Sequence, residues 1–269
     1  MNILEKIVSA KRKEILKSKN AVPVSSLEKS KHFPAQTLSL ERSLQNNKGF
    51  GVIAEFKRQS PSRGIINSAA RPGKVCGAYL DSGASAVSVL TDREFFGGGN
   101  DDLLQARRAC NGVILRKEFI IDEYQVIESK SIGADVILLI AGILSRQELK
   151  ALSDLALSLE LEVLFEIHSE GDIGKLPGKA VLIGVNSRNL DTFSINMDIP
   201  GKIISKLPET TIKIAESGIH SAEKLMELKK AGFDGFLIGE KFMKEQDPGE
   251  SCRMFIEDLR QLRQKFKGE

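Results

Sequence analysis

Two side chains of opposite charge stand at the end of an apolar run. Glu55 and Lys57 close the run that begins at Val52, and because alternate residues of a strand point the same way, the two share one face. Opposite charges at the end of a buried strand are costly unless they pair or act on a ligand. The next segment, 60–64, reads Ser-Pro-Ser-Arg-Gly. It supplies hydroxyls, a cation and a flexible backbone, which suit an anionic substrate.

Later apolar runs also end in polar side chains. These are Lys117, Glu166, His168, Asn186, Arg188, Glu216 and Ser217. One such residue is commonly half of a satisfied ion pair. Lysines and glutamates that converge from several strands are hard to explain as packing, so we predict an active site where these strand ends meet. His168 shares a face with Glu166, and we expect it to be a hydrogen-bonded structural histidine.

The elements that must position these residues recur regularly. Short β-rich runs lie at Val52–Phe56, Ala86–Leu90, Val113–Arg116, Val136–Ile140, Glu162–Ile167, Val181–Val185, Ile212–Ala215 and Phe236–Ile238. Intervals of roughly 20 to 35 residues accommodate a strand, a helix and two loops. Nearly continuous apolar runs are typical of parallel strands covered on both faces. The pattern therefore predicts an α/β protein, a closed (β/α)8 TIM barrel.

We predict one barrel domain over residues 1–269, with 1–48 as an N-terminal helical extension. Ile3, Leu4, Ile7, Val8 and Ile15 give that extension partial helical periodicity. An open doubly wound sheet is the alternative to a barrel. It is disfavoured because the chain lacks the glycine-rich first turn of a dinucleotide fold, and Gly97–Gly99 does not have the required spacing.

Composition limits the classes of function. The apolar share of 41% suffices for a large core. A net charge of +3 without a basic stripe argues against nucleic acid as a partner. The three cysteines, Cys76, Cys110 and Cys252, lack metal-ligand spacing, which favours buried thiols and a reducing compartment. With no membrane-length apolar run and no signal peptide, we expect a soluble cytoplasmic protein without a membrane partner.

Glycines follow the last two predicted strands. Gly218 comes after Ser217, and Gly239 directly follows Ile238. In barrels of this class, the loops after the seventh and eighth strands commonly bind phosphate through backbone N–H groups. Glycine permits the close approach that such binding needs. We therefore predict a phosphate site at Gly218 and Gly239.

Six segments, in order and with compatible spacing, resemble the signature segments of the indole-3-glycerol phosphate synthase family. They begin at Ala54 (AEFKRQSPSRG), Ser88 (SVLTD), Leu115 (LRKEFI), Leu164 (LFEIH), Ile183 (IGVNSRNL) and Ala215 (AESGI). The resemblance implies a (β/α)8 barrel with an N-terminal extension, acting in tryptophan biosynthesis. It implies the conversion of 1-(2-carboxyphenylamino)-1-deoxyribulose 5-phosphate to indole-3-glycerol phosphate, with no metal and no organic cofactor. The expected partner is this small-molecule substrate, bound by a monomer.

The resemblance also implies roles for individual residues. Lys117 corresponds to the general acid that protonates the substrate carbonyl, a role that suits a lysine whose pKa is lowered by desolvation and neighbouring cations. Lys57 corresponds to a second lysine that engages the substrate, and which lysine serves which step stays open. Glu166 corresponds to the general base. The remaining residues implied are Glu55, Asn186, Glu216 and Ser217 around the reacting groups, Ser60, Gly218 and Gly239 at the phosphate, and Phe96, Arg188 and Leu190 in the anthranilate pocket.

Two other functions are compatible with a phosphate-binding barrel. A phosphoribosylanthranilate isomerase would need a cysteine and an aspartate to shuttle protons, but Cys76 and Cys110 fall in helical segments. A non-catalytic phosphosugar-binding scaffold would not need Lys117 or Glu166, and both are present.

Overall fold

The chain forms a closed barrel of parallel strands in a computed structural model that describes residues 3–45, 49–189, 194–196 and 198–265. The barrel strands are β1 Val52–Phe56, β2 Ala86–Leu90, β3 Val113–Lys117, β4 Val136–Ile140, β5 Glu162–Ile167, β6 Leu182–Asn186, β7 Ile212–Glu216 and β8 Gly235–Ile238. They follow chain order around the barrel, and β8 returns beside β1, where Phe236 pairs with Val52. The predicted TIM barrel is confirmed, and the open sheet is excluded.

Helices follow each strand and cover the barrel. They are α4 Pro72–Asp81, α5 Asn100–Ala109, α6 Glu123–Ser131, α7 Arg146–Ser158, α8 Glu170–Ile173, α9 Asp198–Ile204, α10 Ala222–Lys230, α11 Glu240–Met243 and α12 Pro248–Lys265. Local sequence fixes several of their starts. Asp122 caps α6 by accepting the N–H of Tyr124, and Ser145 forms a capping box with Glu148 at α7.

Several strands extend past the apolar runs that predicted them. β3 continues to Lys117, β6 to Asn186 and β7 to Glu216. Their backbones stay paired with the neighbouring strands, since Lys117 lies opposite Leu90 and Asn186 opposite Glu216. The polar side chains predicted to follow these strands are therefore their last residues, held in a regular ladder.

The hydrophobic core has two layers. One lies between the strands and the surrounding helices, and the other fills the barrel interior with side chains such as Ile53, Leu115, Leu138, Leu164 and Leu237. The packed interior makes the barrel a rigid support instead of a pore. Truncating one of these leucines to alanine costs roughly 2–5 kcal/mol.

Three helices precede the barrel, as the N-terminal pattern predicts. They are α1 Ile3–Ala21, α2 Val24–Leu27 and α3 Leu40–Gln45. At the start of α3, the Glu162 carboxylate accepts the backbone N–H groups of Leu40 and Glu41 at 2.7 and 3.1 Å. Glu162 begins β5, so this contact fixes α3 to the N-terminal end of the barrel.

Among the described helices, none is long and apolar enough to cross a membrane. The cysteines Cys76, Cys110 and Cys252 are free and buried, as the sequence predicts. Cys76 and Cys252 lie in α4 and α12, and Cys110 directly follows α5. This placement, away from the strand ends, disfavours the isomerase alternative.

Candidate active site

One pocket at the C-terminal end of the barrel contains every predicted site residue that the structure describes. These residues are Glu55, Lys57, Ser60, Phe96, Lys117, Glu166, Asn186, Arg188, Glu216, Ser217, Gly218 and Gly239. The remaining prediction, Leu190, lies outside the described residues. The convergence follows from barrel closure, because the carboxyl ends of parallel strands meet at one rim.

A lysine held between two carboxylates forms the centre of the pocket. The Lys117 Nζ lies 2.6 Å from Glu166 Oε2 and 2.5 Å from Glu216 Oε2. The three residues come from β3, β5 and β7, alternate strands whose inward side chains share a layer. Both carboxylates are almost fully buried. The site therefore keeps a proton donor and two possible proton acceptors in contact, shielded from bulk water.

The electrostatics of this centre correct one expectation. Burial alone would lower the pKa of Lys117, but the charges of Glu166, Glu216 and Glu55 outweigh burial and raise it above its usual value. This direction is opposite to the one that the implied role suggested. In this structure Lys117 is thus a firmly protonated ammonium.

The two carboxylates respond to the shared lysine in opposite directions. Burial and the charge of neighbouring Glu166 raise the pKa of Glu216 to about 8. Burial also opposes ionisation of Glu166, but Lys117 outweighs it and holds the pKa of Glu166 well below its usual value. One positive charge cannot fully compensate two buried negative ones. Lys117 therefore favours the ionised form of Glu166, whereas ionisation of Glu216 is disfavoured.

The predicted Glu55–Lys57 pair is present on the neighbouring wall. The Lys57 Nζ lies 2.7 Å from Glu55 Oε1, and Glu55 is buried. Gly239 lies against this pair, because a Cβ built there would stand 2.4 Å from Glu55 Oε1. Its small size therefore makes room for Glu55, a role additional to the predicted contact with phosphate.

A hydrogen-bonded corner links the ends of β6 and β7. Asn186 Oδ1 accepts the Ser217 hydroxyl at 2.9 Å and the Arg188 backbone N–H at 3.0 Å. Ser217 has a φ of 67°, a left-handed conformation that is unfavourable for serine, and Gly218 follows with a φ of 76°. Such strain persists where surrounding contacts fix the backbone, and it concentrates at functional sites.

An apolar wall faces the charged centre. Phe96 contacts Phe119 with ring centroids 5.9 Å apart, and Leu138 and Ile140 line the same pocket. Of these, sequence reasoning singled out Phe96 alone. Phe119 carried a usable signal, because it follows Lys117 by two residues and so falls on the same side of an extended chain. The wall is a suitable surface for an aromatic ring.

A short hairpin lines one side of the pocket with Ser60, Pro61 and Ser62. Gln59–Ser60 and Gly64–Ile65 pair as two antiparallel strands. The Arg188 guanidinium donates to Ser62 at 3.3 Å, and Arg63 Nε lies 3.0 Å from Glu240. The segment singled out for anion binding thus contacts the loop after β6 and the start of α11.

His168 lies beside the central carboxylates, as its spacing from Glu166 predicts. Its Nε2 is 3.2 Å from Glu166 Oε1, but the two groups are not aligned as a hydrogen bond. Its backbone N–H donates to Asp172 at 3.1 Å. The expected side-chain hydrogen bond is therefore replaced by a close electrostatic contact. In the described part of the chain, no cluster of three or more His, Cys, Asp or Glu side chains is arranged to hold a metal ion.

Comparisons with solved structures concern the fold. Solved structures with similar folds include a chain of the tryptophan synthase complex of Pyrococcus furiosus (TM-score 0.57, 14% identity, 80% of this chain and 99% of that one). Tryptophan synthase subunit alpha of Legionella pneumophila is another (TM-score 0.60, 13% identity, 82% of this chain and 97% of that one). At such low identity, these likenesses support the barrel fold alone.

Sequence comparisons identify the family. The chain is 42% identical over 258 residues to indole-3-glycerol phosphate synthase of Bacteroides thetaiotaomicron, covering 96% of this chain and 99% of the relative. It is 40% identical over 252 residues to the synthase of Polaromonas naphthalenivorans, covering 92% and 96%. The family model of indole-3-glycerol phosphate synthase matches residues 4–255. With its barrel fold and its converging lysines and glutamates, the chain belongs to the indole-3-glycerol phosphate synthase family.

Proposed function

We propose that the chain converts 1-(2-carboxyphenylamino)-1-deoxy-D-ribulose 5-phosphate to indole-3-glycerol phosphate, CO2 and water, as a carboxy-lyase of tryptophan biosynthesis. The observation that carries this proposal is the contact of Lys117 with both Glu166 and Glu216 beside an aromatic wall. The reaction needs one acid to start ring closure and one base to finish it. Lys117 and Glu166, which are in contact in one pocket, are suited to these two tasks.

In the first step, the aromatic carbon that bears the carboxylate attacks the ketone carbon of the sugar. The new carbon–carbon bond places negative charge on the ketone oxygen, and Lys117 donates a proton to it. The raised pKa of Lys117 is compatible with this role, because an alkoxide is a stronger base than the lysine amine. The burial of Lys117 also strengthens its attraction to the developing charge.

The second stage loses CO2 and then water. Breakage of the carbon–carboxylate bond returns its electron pair to the ring and restores aromaticity. The hydroxyl formed in the first step then leaves as water, with a proton from Lys57 or Lys117. Glu166, which the lysine keeps ionised, accepts the proton whose removal completes the indole. Glu55 contacts Lys57 at 2.7 Å and would stabilise the positive charge on the anilino nitrogen.

Other residues hold the substrate in register with this machinery. The Oδ1 of Asn186 accepts hydrogen bonds from the Ser217 hydroxyl and the Arg188 backbone N–H, so its amide NH2 is the group that can donate to substrate hydroxyls. We place the phosphate near Ser60, Gly218 and Gly239, all on the pocket lining. The anthranilate ring then lies against the apolar wall, which excludes water from the reacting carbons.

The test is to mix the purified protein with the proposed substrate and to follow indole fluorescence in buffer that contains EDTA. A rise in fluorescence at catalytic protein concentration is expected. A calorimetric titration that shows binding without any fluorescence rise would contradict the proposed reaction and would favour the phosphosugar-binding scaffold.

A further inference from the structure

A buried lysine connects the N-terminal extension to the catalytic end of the barrel. Lys11 lies on α1 and is 2% exposed. Its Nζ lies 3.0 Å from Asp92, 3.0 Å from Glu118 and 2.7 Å from Glu14. Asp92 and Glu118 are also buried, and they follow the C-terminal ends of β2 and β3. A buried ammonium with such partners is a fixed cross-link between elements, not a solvated surface charge.

Both barrel carboxylates that contact Lys11 also fix the aromatic wall. Asp92 Oδ1 accepts the backbone N–H groups of Phe95 and Phe96 at 2.7 and 3.2 Å. Glu118 Oε1 accepts the backbone N–H of Phe119 at 2.8 Å. Lys11 therefore contacts one pocket-lining residue, Glu118, and it lies one contact away from the backbones of both pocket phenylalanines.

The wider hydrogen-bond network leaves Lys11 as the shared counter-charge of these carboxylates. Glu118 Oε2 accepts the Thr91 hydroxyl at 2.8 Å, and Arg116 donates to that hydroxyl at 3.1 Å. The Arg116 guanidinium donates to Glu128 at 2.6 Å, and its charge also favours the ionised form of Glu118 by lowering its pKa. Lys11, in contrast, lies against both Asp92 and Glu118. Without Lys11, two buried carboxylates near each other would lose the cation between them. Their mutual repulsion would then act on the loops that carry the phenylalanines.

We propose that Lys11 is a positioning residue of the active site: through Asp92 and Glu118, it sets the aromatic wall of Phe96 and Phe119 against which the aromatic half of the substrate binds. This inference rests on the function proposed above. It gives the N-terminal extension a specific task in substrate binding, beyond covering the barrel.

The test separates the two halves of the substrate. Lys11→Met is compared with Lys13→Met, a matched change at an exposed lysine on the same helix. Calorimetry measures the dissociation constants of anthranilate and of inorganic phosphate as probes of the two halves. We expect anthranilate to bind Lys11→Met about 10-fold more weakly, within the range typical of substitutions that act on a binding site through intermediate contacts. Phosphate affinity should stay unchanged, and Lys13→Met should resemble the unmodified protein for both probes.

Steady-state kinetics give a second readout. KM for the complete substrate should rise in Lys11→Met while kcat changes much less, and Lys11→Arg, which keeps the charge, should recover most of the affinity. If Lys11→Met does not fold, Lys11→Gln takes its place, because it keeps a hydrogen-bond donor but not the charge. It too should bind anthranilate more weakly and raise KM. The inference would be overturned if the dissociation constant of anthranilate were unchanged in Lys11→Met, or if anthranilate and phosphate both bound more weakly by the same factor.

These results are distinguishable from failure of the proposed function. Turnover by the unmodified protein reports on the reaction, whereas the ratio of the two probe constants reports on Lys11. Absence of turnover with an intact anthranilate effect would reject the reaction and keep the positioning role. Absence of anthranilate binding by a protein that turns over the complete substrate would reject the positioning role and keep the reaction.

Discussion

At Gly184, a single added methyl group should lower catalytic activity much more than it lowers stability. It lies in β6 opposite Glu166, and a Cβ built there would stand 2.1 Å from Glu216 Oε1. To reach an ordinary contact of 3.4 Å, the carboxylate must move by about 1.3 Å. The same carboxylate contacts Lys117 at 2.5 Å, so the movement breaks or distorts the central ion pair.

The expected effect of Gly184→Ala on the rate is large. Misplacing a catalytic group by about 1 Å can cost ~10²-fold, and we expect a loss of that order in kcat. The loss of stability should be small in comparison. The close atom is the far end of a side chain, and the next contacts, at 3.2 and 3.4 Å, are with Glu216 and Leu164 side chains. Glu216 can thus rotate while the strand stays in place.

The assay combines indole fluorescence for kcat with thermal unfolding for stability. Gly178→Ala is the matched control, because a Cβ at Gly178 meets no atom within 4 Å. It should leave both quantities near those of the unmodified protein. A Gly184→Ala protein that folds normally and retains kcat within ~3-fold would refute the requirement for Glu216 in its observed place. A protein that fails to fold would refute the claim that the side chain absorbs the collision.

Three further predictions follow from the same site. Glu216 has a folded-state pKa of about 8, above its usual value, so the folded chain binds more protons than the unfolded chain between about pH 4.5 and 8. The free energy of unfolding should therefore fall as pH rises across this window, by up to ~1.4 kcal/mol per pH unit. Urea unfolding at several pH values measures this slope, and Glu216→Gln should remove it. The same pH dependence in the variant and the unmodified protein would contradict the role of Glu216. Gly239→Ala should lose both activity and stability, because its Cβ would meet the Cβ of Glu55 at 3.0 Å in addition to the carboxylate. Rate and unfolding assays measure the two losses, and an unchanged free energy of unfolding would contradict this prediction. The hairpin at 59–65 should close further over bound substrate, so limited proteolysis within 60–64 should slow when a product analogue is added, and equal cleavage rates would argue against closure.

The strands could be predicted from the sequence because burial on both faces imposes nearly continuous apolar runs. The same reasoning placed the site, since charged residues such as Glu55, Lys117 and Glu166 follow those runs and barrel closure brings strand ends together. The exact residues at which the strands end were harder to predict from the sequence. Polarity marked Lys117 and Glu216 as lying outside the apolar runs, although ladder hydrogen bonds keep them within the strands.

The direction of the Lys117 pKa shift could not be read from the sequence. It depends on contacts with Glu166 and Glu216, which lie 49 and 99 residues away along the chain. Spacing within one strand reveals charges near a lysine but not the distances across the barrel. For the same reason, the burial of Lys11 could not be predicted, since its partners Asp92 and Glu118 follow strands that come many residues after the extension.

The most direct test of the account uses substrate labelled with 13C in its aromatic carboxylate. The unmodified protein should release labelled CO2 in step with the rise in indole fluorescence. Lys117→Ala should still bind the substrate but release labelled CO2 at least ~10²-fold more slowly, as expected for loss of the general acid. Release of labelled CO2 by Lys117→Ala at the unmodified rate would contradict the central role of the lysine held between Glu166 and Glu216.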